Sequence, residues 1–242
     1  MPRLRAMPPI VIPQHELAVF GQTWQRNGMC LSRTPPQSSG QLGNLIDYTV
    51  GHALAEMLGG IPTAKPNPRR LTPPMPNCVE IGPARIEGGI RHQNFDVAYR
   101  PTGFAPEGVR FAFDSKTLND TKSVMKNWQN MVNDIATEAA TVHSVYPDAV
   151  VGFIIAVPLP CISETRRNQM IAVFERLARR MNPADQHYQA EAIAFVLWHP
   201  KDGRISTEFP DPNSHIRIEK FSTLIERAYR NRFKSLPPHD RD

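Results

Sequence analysis

The sequence predicts an α/β fold in which helices flank a mixed central β-sheet. Residues 79–116 contain three short segments of β type, VEIGPARIE, FDVAYR and GVRFAFDSK, which are separated by turns that contain Gly or Pro. Residues 121–146 then show apolar positions three or four apart, which is typical of an amphipathic helix. Residues 149–158, AVVGFIIAVP, form an unbroken apolar run, which is typical of a strand buried on both faces of a sheet.

A first helix is predicted before these strands. Leu17, Phe20 and Trp24 recur at helical spacing within residues 14–27. The preceding residues 1–13 are rich in proline, so we expect an extended N-terminal arm.

A second helix is predicted from about Gly43 to Met57, after a segment of turn formers at residues 33–41. Its apolar residues share one face, and the pair Gly59-Gly60 ends it. Residues 60–77 hold six prolines together with basic residues, which predicts a long mobile loop suited to contact with a charged ligand.

The C-terminal part is predicted to add two basic helices and a β-hairpin. One helix starts after Ser163 as its N-cap and ends near Arg180, and the other spans Phe221–Phe233. Between them, AIAFVLWHP and RISTEFP flank a KDG turn and predict the hairpin. The expected organisation is an N-terminal arm and helix (1–41) and one domain (42–242), itself divided into a core (42–158), a C-terminal extension (159–234) and a Pro-rich tail (235–242).

Charge and composition narrow the classes of function. The 242 residues carry a net charge of +5, which suits a polyanionic partner, although a solvated surface with scattered arginines would give the same value. The acidic residues concentrate in the centre: residues 77–160 hold nine acids and seven bases, whereas residues 1–76 hold three and seven. This distribution fits a site that gathers cations, flanked by surfaces that bind phosphates.

Several classes of site lack their motifs. The three cysteines, Cys30, Cys78 and Cys161, are far apart without CxxC spacing, so we expect reduced thiols, with two of them buried. The sequence contains no HExxH, GxxxxGK[ST], GxSxG or GxGxxG pattern, which argues against zinc, nucleotide-hydrolysing, serine hydrolase and dinucleotide chemistry. Without a secretory signal or an apolar run of membrane length, we expect a cytoplasmic protein with no membrane partner.

Three side chains in the predicted strands carry the chemistry. In Phe111-Ala112-Phe113-Asp114-Ser115-Lys116, alternation places Asp114 and Lys116 on one face and Ser115 on the other. Asp96 lies in the preceding strand, so antiparallel pairing can bring the two carboxylates together, which requires a nearby cation. Such oxygen ligands suit Mg²⁺ or Mn²⁺, and a lysine beside them can orient or deprotonate a metal-bound water.

These residues and the element order resemble the PD-(D/E)XK, or restriction-endonuclease-like, nuclease superfamily. Asp96 matches the first motif acid, and Asp114-Ser115-Lys116 matches the (D/E)XK triplet. The order helix, three strands, helix, strand over roughly residues 42–158 matches the αβββαβ core of that family. One departure is that Phe95, rather than proline, precedes Asp96.

The resemblance implies a set of ligands and roles. Asp96, Asp114 and the Ser115 carbonyl would bind Mg²⁺, for which Mn²⁺ can substitute, and Lys116 would position the attacking water. A further acid often lies on the helix before the sheet, where Gly43-Asn44-Leu45-Ile46-Asp47 fits, with Glu56 as the second choice. An acid in the first turn of a helix is also favoured by the helix dipole without any catalytic role.

The resemblance implies a Mg²⁺-dependent endonuclease that cleaves double-stranded DNA at a specific sequence, as type II restriction enzymes do. A homodimer is expected, because two-fold related sites suit cleavage of both strands. Three segments are expected to face the DNA: the 61–76 loop, the 163–180 helix and the C-terminal basic helix. A cognate methyltransferase would be a separate protein that this sequence does not reveal.

The alternatives are a structure-specific or non-specific repair or defence nuclease, and a catalytically inactive DNA-binding protein with the same fold. An RNA-binding module is a weaker candidate, because no strand shows the aromatic pattern that stacks RNA bases.

Overall fold

Along the chain, two helices precede four strands, after which helices and strands alternate. The computed structural model describes residues 3–28, 40–89 and 91–239, and within them it contains five α-helices and six strands. The helices are α1 (Gln14–Arg26), α2 (Gln41–Met57), α3 (Thr121–His143), α4 (Glu164–Leu177) and α5 (Ile218–Phe233). The strands are β1 (Thr63–Ala64), β2 (Val79–Ile86), β3 (Gln93–Tyr99), β4 (Phe111–Thr117), β5 (Val150–Pro158) and β6 (Ala192–Trp198). A 3₁₀ turn, Leu159–Cys161, follows β5.

The six strands form one mixed sheet in the order β1-β2-β3-β4-β5-β6. Strand β3 is antiparallel to both β2 and β4, whereas the pairs β1–β2, β4–β5 and β5–β6 are parallel. All nine residues of β5 are buried, as its apolar run predicts. The predicted α/β class with a mixed sheet between helices is therefore confirmed.

Helices cover both faces of the sheet. Ile81 of β2 and Phe113 of β4 lie on one face, because both align with Val97 of β3. Helix α5 contacts this face, with Phe221 5.9 Å from Phe113 between ring centroids. Helix α2 contacts it too, because Gly51 lies directly over the Ile81 side chain.

The opposite face carries α3 and α4. Lys116 of β4 aligns with Ile155 of β5 and Phe195 of β6. Lys116 follows Phe113 by an odd number of residues, so the two lie on opposite faces of the sheet. Phe195 packs against Phe174 of α4 at 5.1 Å between ring centroids, and Lys116 bonds to Glu138 of α3. The molecule therefore has three layers, with the sheet between two layers of helices. The polar residues at the end of β4 lie in the middle layer.

The segment after β6 differs from the prediction. The second arm of the predicted hairpin forms a single antiparallel bridge, Trp198 with Ile205, instead of a strand. The guanidinium group of Arg217 bonds to the carbonyls of Ser206, Thr207 and Pro210, so these carbonyls are satisfied without a neighbouring strand.

The predicted Pro-rich tail also packs against the fold. His239 is buried, and its Nε2 lies 2.8 Å from the Tyr229 hydroxyl of α5. The described part of the N-terminal arm, residues 3–13, contains no helix or strand, and it too is attached, because the backbone N–H of Met7 donates to Glu226 at 2.9 Å. These contacts hold both ends of the described chain against α5.

Other predicted boundaries moved by a few residues. The predicted 60–77 loop contains the short strand β1, and α4 ends at Leu177 because Arg180 turns inward to bind Glu191. Cys78 and Cys161 are buried free thiols, as expected. Cys30, most of the 33–41 turn segment and the ends of the arm and tail lie outside the described residues. Within the described part, no helix combines the length and the hydropathy that crossing a membrane requires.

A buried cluster of charges joins α3, β5 and α5 through Glu191. Its Oε1 accepts from Arg180 Nε at 3.0 Å and from Arg232 Nη1 at 2.8 Å, and its Oε2 lies 3.3 Å from His143 Nε2. The backbone N–H of Val151 donates to Oε2 at 2.8 Å. Burial alone would raise the pKa of Glu191, but the bond with His143 and the charge of Arg232 lower it. The negative charge of this buried carboxylate is therefore balanced by the positive charges and hydrogen-bond donors around it.

We expect Glu191→Ala to lower the free energy of unfolding by about 3–5 kcal/mol, because it leaves two buried guanidinium groups without their carboxylate. Urea denaturation followed by circular dichroism measures this. The control is Glu164→Gln, which removes a solvent-exposed partner 4.0 Å from Arg167 and should cost less than about 1 kcal/mol. Equal losses in the two variants would contradict the structural role of the cluster.

Candidate functional site

The candidate site lies where the pairing of β3 with β4 ends. The last aligned pair of that ladder is Val97 with Phe113, so the next step places Asp96 opposite Asp114. The backbone N–H of Ser115 donates to Asp96 Oδ2 at 3.0 Å, and its hydroxyl donates to the same oxygen at 3.3 Å. A carboxylate thus occupies the position where a strand backbone would otherwise accept the hydrogen bond.

Helix α2 brings a third carboxylate to this position. Asp47 is buried and lies near both the Asp96 carboxyl group and the Ser115 side chain. One turn earlier, a Cβ on Gly43 would lie 3.4 Å from Ser115 Oγ, so the absence of a side chain there lets α2 approach β4 closely. Glu56, the other predicted choice for the helix-borne acid, is exposed farther along α2.

Lys116 contacts two acids on the α3 side of the sheet. Its Nζ bonds to Asp114 Oδ2 and, at 2.9 Å, to Glu138 Oε1. Gln93 of β3 donates to the same Glu138 oxygen at 3.1 Å. The structure therefore brings together all four predicted side chains, Asp47, Asp96, Asp114 and Lys116, and also places Ser115 among them.

Sequence reasoning missed Glu138, although the sequence contained a signal for it. Glu138 is only 5% exposed and lies on the apolar stripe of α3, three residues after Ile135 and four before Val142. A charged residue at a core position of a helix needs a buried partner, which here is Lys116. Helical spacing alone did not reveal which strand would supply that partner.

The carboxyl groups of the site are crowded. Burial, followed by the charge of Asp96, raises the pKa of Asp47 to about 8. Burial, followed by a hydrogen bond and repulsion from Asp114, raises the pKa of Asp96 to about 8. Burial also raises the pKa of Asp114. Ionising these groups together therefore costs free energy unless positive charge is added.

The available cation does not neutralise the cluster. Burial would lower the pKa of Lys116, but Asp114 and Glu138 raise it, so it stays charged. Its ion pairs go to those two acids, and in the described part of the chain Asp47 and Asp96 form no ion pair. Asp47 Oδ1 is buried without a hydrogen-bond partner. A cation bound here would gain this unpartnered oxygen as a ligand and would supply the positive charge that the cluster lacks.

The donor set fits a hard divalent cation such as Mg²⁺. Magnesium binds through one or two carboxylates and keeps several waters, so it does not need a complete protein cage. Among the described residues, no group of three or more His, Cys, Asp or Glu side chains already forms such a cage. The facing carboxyls of Asp96 and Asp114, with Asp47 nearby, provide the smaller set that magnesium uses.

Two clefts open beside the acids. One, of about 350 Å³, is lined by Asp47, Tyr48 and Lys65, with the bulge of β2 as its floor. The other, of about 360 Å³, is lined by Lys116, Asn127 and Asn130. The clefts therefore reach Asp47 from one face of the sheet and Lys116 from the other.

The three predicted DNA-facing segments have different surroundings. Two basic side chains of α5 are used within the fold, since Arg230 bonds to Glu226 and Arg232 to Glu191, whereas Lys220 and Arg227 are exposed. The 61–76 loop places Lys65 beside Asp47. The first turn of α4 carries Arg166 and Arg167 at the same edge of the sheet as Lys116.

Comparison with protein-family models, with curated proteins and with solved structures found no match for this chain.

Crowding of the acids leads to a stability prediction. We expect Asp96→Asn to raise the free energy of unfolding in EDTA at neutral pH by about 1–3 kcal/mol. The pKa of Asp96 is higher in the folded than in the unfolded chain, so its ionisation destabilises the fold as pH rises from about 4 to about 8. The amide removes that charge and still accepts from Ser115.

Urea denaturation at pH 7.5 and pH 4 measures the effect, which should shrink at the lower pH. Asp134→Asn is the control, because it removes an exposed acid from the same helix that carries Glu138 and should change stability by less than about 0.5 kcal/mol. A loss of stability in Asp96→Asn at pH 7.5 would contradict the picture of a cluster that lacks positive charge.

Proposed function

We propose that this protein is a Mg²⁺-dependent DNA endonuclease of the PD-(D/E)XK superfamily, with a restriction-endonuclease-like αβββαβ core. The observation that carries the proposal is the convergence of Asp96, Asp114 and Lys116 where the β3–β4 ladder ends. The order α2, β2, β3, β4, α3, β5, with the two-residue strand β1 between α2 and β2, supports it, because helix, three strands, helix, strand is the order of the core in that superfamily.

Asp96, Asp114 and the Ser115 carbonyl would hold the Mg²⁺, with Asp47 as an outer ligand or a ligand of a second ion. When bound, Mg²⁺ supplies charge neutralisation at a phosphate and lowers the pKa of a coordinated water. Mn²⁺, which accepts the same oxygen ligands, can substitute.

Lys116 is the residue that acts on the water or the phosphate. An ammonium group donates three hydrogen bonds, of which two go to Asp114 and Glu138. The third is available to a nucleophilic water or to a phosphate oxygen that gains charge in the transition state. Lys116 lines the cleft on the α3 side, so a substrate in that cleft is within its reach.

Glu138 acts as a positioning residue through Lys116. Together with Asp114 it fixes the ammonium group from two directions, and Gln93 in turn holds the Glu138 oxygen. We infer that Glu138 keeps Lys116 charged and directed toward the opening of the site.

The substrate we propose is double-stranded DNA, cut at a specific sequence. The net charge of +5 and the half-buried Arg166 and Arg167 at the start of α4 support a polyanion. A homodimer, a cytoplasmic location and a cognate methyltransferase remain predictions that belong to this proposal.

Incubation of supercoiled plasmid with the wild-type chain and with Asp114→Ala and Lys116→Ala tests the proposal. We expect nicking and linearisation with Mg²⁺, none with EDTA, and at least about a hundredfold lower rate in each variant, because each removes a group that acts on the reacting atoms. Asp134→Ala, which lines the same cleft, is the matched control and should cleave at nearly the wild-type rate.

The fragments separate the kinds of nuclease. Discrete bands from linear DNA indicate sequence-specific cleavage, whereas a smear indicates a non-specific repair or defence nuclease. DNA that remains intact with Mg²⁺ at high protein concentration would contradict the enzymatic proposal and favour a DNA-binding protein with the same fold.

A further inference from the structure

A second polar surface lies along the edge of the sheet that carries Lys116. Strands β4, β5 and β6 are parallel, so their carboxyl ends meet at this edge. Lys116 is the penultimate residue of β4, α4 begins six residues after the end of β5, and residues 199–209 follow β6. The carboxyl edge of a parallel sheet is where such folds bind ligands.

Two consecutive arginines in the first turn of α4 stack on aromatic rings. The guanidinium carbon of Arg167 lies 3.6 Å from the centroid of the Phe209 ring, and that of Arg166 lies 4.6 Å from the centroid of the Trp128 ring. Stacking fixes the plane of each guanidinium group and reduces the entropy lost when it binds an acceptor. Each ring comes from a different element, so the two cations are directed apart along the edge.

These arginines differ from the structural arginines of the protein. Arg100 forms a two-point ion pair with the buried Glu80, and Arg180 and Arg232 share Glu191. Arg167, in contrast, has its nearest carboxylate oxygen, on exposed Glu164, at 4.0 Å. The Nε of Arg166 and the Nε of Arg167 are both buried without a hydrogen-bond partner. Here the fold positions a cation without neutralising it.

Arg167 also lines a large polar cleft. The cleft has a volume of about 660 Å³ and lies between α4 and the segment after β6. Its other polar lining residues include His199, Arg204, Ser206 and Thr207, and Glu208 is the one acid among the described residues that line it. Arg204 is paired with Asp202 at 2.6 Å, so in the described part of the cleft Arg167 is the arginine without a close carboxylate. Arg167 and the two hydroxyl groups suit the oxygens of phosphate better than they suit a cation or an apolar ligand.

The distance from the cleft to the candidate site corresponds to a few nucleotides of DNA. Strand β6 lies two strand spacings from β4, which is about 10 Å. One DNA strand carries a phosphate about every 3.4 Å along the helix axis, so this interval corresponds to about three phosphates. A duplex lying along the carboxyl edge can thus contact Lys116 and the cleft at once.

We propose that Arg167, with Arg166 and the cleft behind it, binds backbone phosphates of duplex DNA a few nucleotides from the bond that is cut. The choice of DNA as ligand rests on the proposed function. The surface itself is assigned from the stacked and unneutralised arginines. Base-edge contacts are not needed for this role, because phosphate contacts set register and orientation on a duplex.

Fluorescence anisotropy with labelled duplexes of about 30 base pairs and random sequence tests this surface, because phosphate contacts are independent of sequence. All proteins carry Asp114→Ala and are measured in EDTA, so that cleavage does not contribute. Added Arg167→Ala should weaken binding about tenfold and reduce the slope of log K against log salt by about 0.9, the value for one lost phosphate contact.

The matched control is Arg176→Ala, which removes the same charge from an exposed position near the other end of α4. It should change the affinity less than about twofold, since it lies far from the cleft. Equal losses in the two variants would overturn the proposal. An RNA duplex of the same sequences that competes better than the DNA would overturn the assignment to DNA.

Arg167→Gln, whose stem still covers Phe209, replaces the alanine variant if that variant does not fold. The affinity measurement tests the phosphate-binding surface, and the cleavage assay tests the nuclease, so either proposal can be rejected without the other. Loss of affinity in the Arg167 variants, with no cleavage by the wild-type chain in Mg²⁺, keeps the DNA surface and rejects the nuclease. Metal-dependent cleavage with unchanged affinity in the Arg167 variants keeps the nuclease and rejects the surface.

Discussion

The end of the β3–β4 ladder is the constraint on which the site depends. Pairing stops after Val97 and Phe113, and Asp96 accepts the Ser115 N–H through its side chain. Strand β4 nevertheless continues to Thr117 because β5 pairs with it there. The end of β4 is therefore held on one side by a strand and on the other by a carboxylate. Side chains from both faces of the sheet can meet at this position, with Asp47 from one face and Glu138 from the other.

Two buried carboxylate clusters show how the same residue types serve different purposes. Around Glu191, His143 and Arg232 lower the pKa of the acid, and the ion pairs with Arg180 and Arg232 link several elements. Around Asp96, burial and like charges raise the pKa of the acid. A fold that needed only stability would not keep the second arrangement, because it costs free energy in the absence of a cation. Perturbed carboxyl groups next to open clefts are instead a feature of functional sites.

Much of the fold was predictable because local periodicity determines it. The apolar run of β5 requires burial on both faces, and the apolar stripe of α3 requires burial on one side of the helix. The structure provides both environments. The pair of Asp114 and Lys116 followed from alternation along β4. In contrast, the partner of Lys116 depends on how α3 docks on the sheet, and that docking is not encoded in the spacing of a single element.

The errors have a common physical origin. The segment after β6 was predicted as the second arm of a hairpin across the KDG turn, but bonds from Arg217, 7 to 11 residues further along the chain, satisfy its carbonyls and compete with a ladder. The sequence predicts a Pro-rich tail but not its contacts, and burial of His239 against Tyr229 holds this tail against α5. In both cases side-chain contacts that no local pattern encodes decided the outcome.

Diffraction from crystals grown with Mn²⁺, recorded at a wavelength where manganese scatters anomalously, tests the central claim most directly. We predict an anomalous peak between the carboxyl groups of Asp96 and Asp114, within about 2.3 Å of an oxygen from each, and its loss in Asp96→Asn crystals. No peak at this position in the wild-type protein, with both carboxyls ordered and Mn²⁺ in excess, would contradict the account.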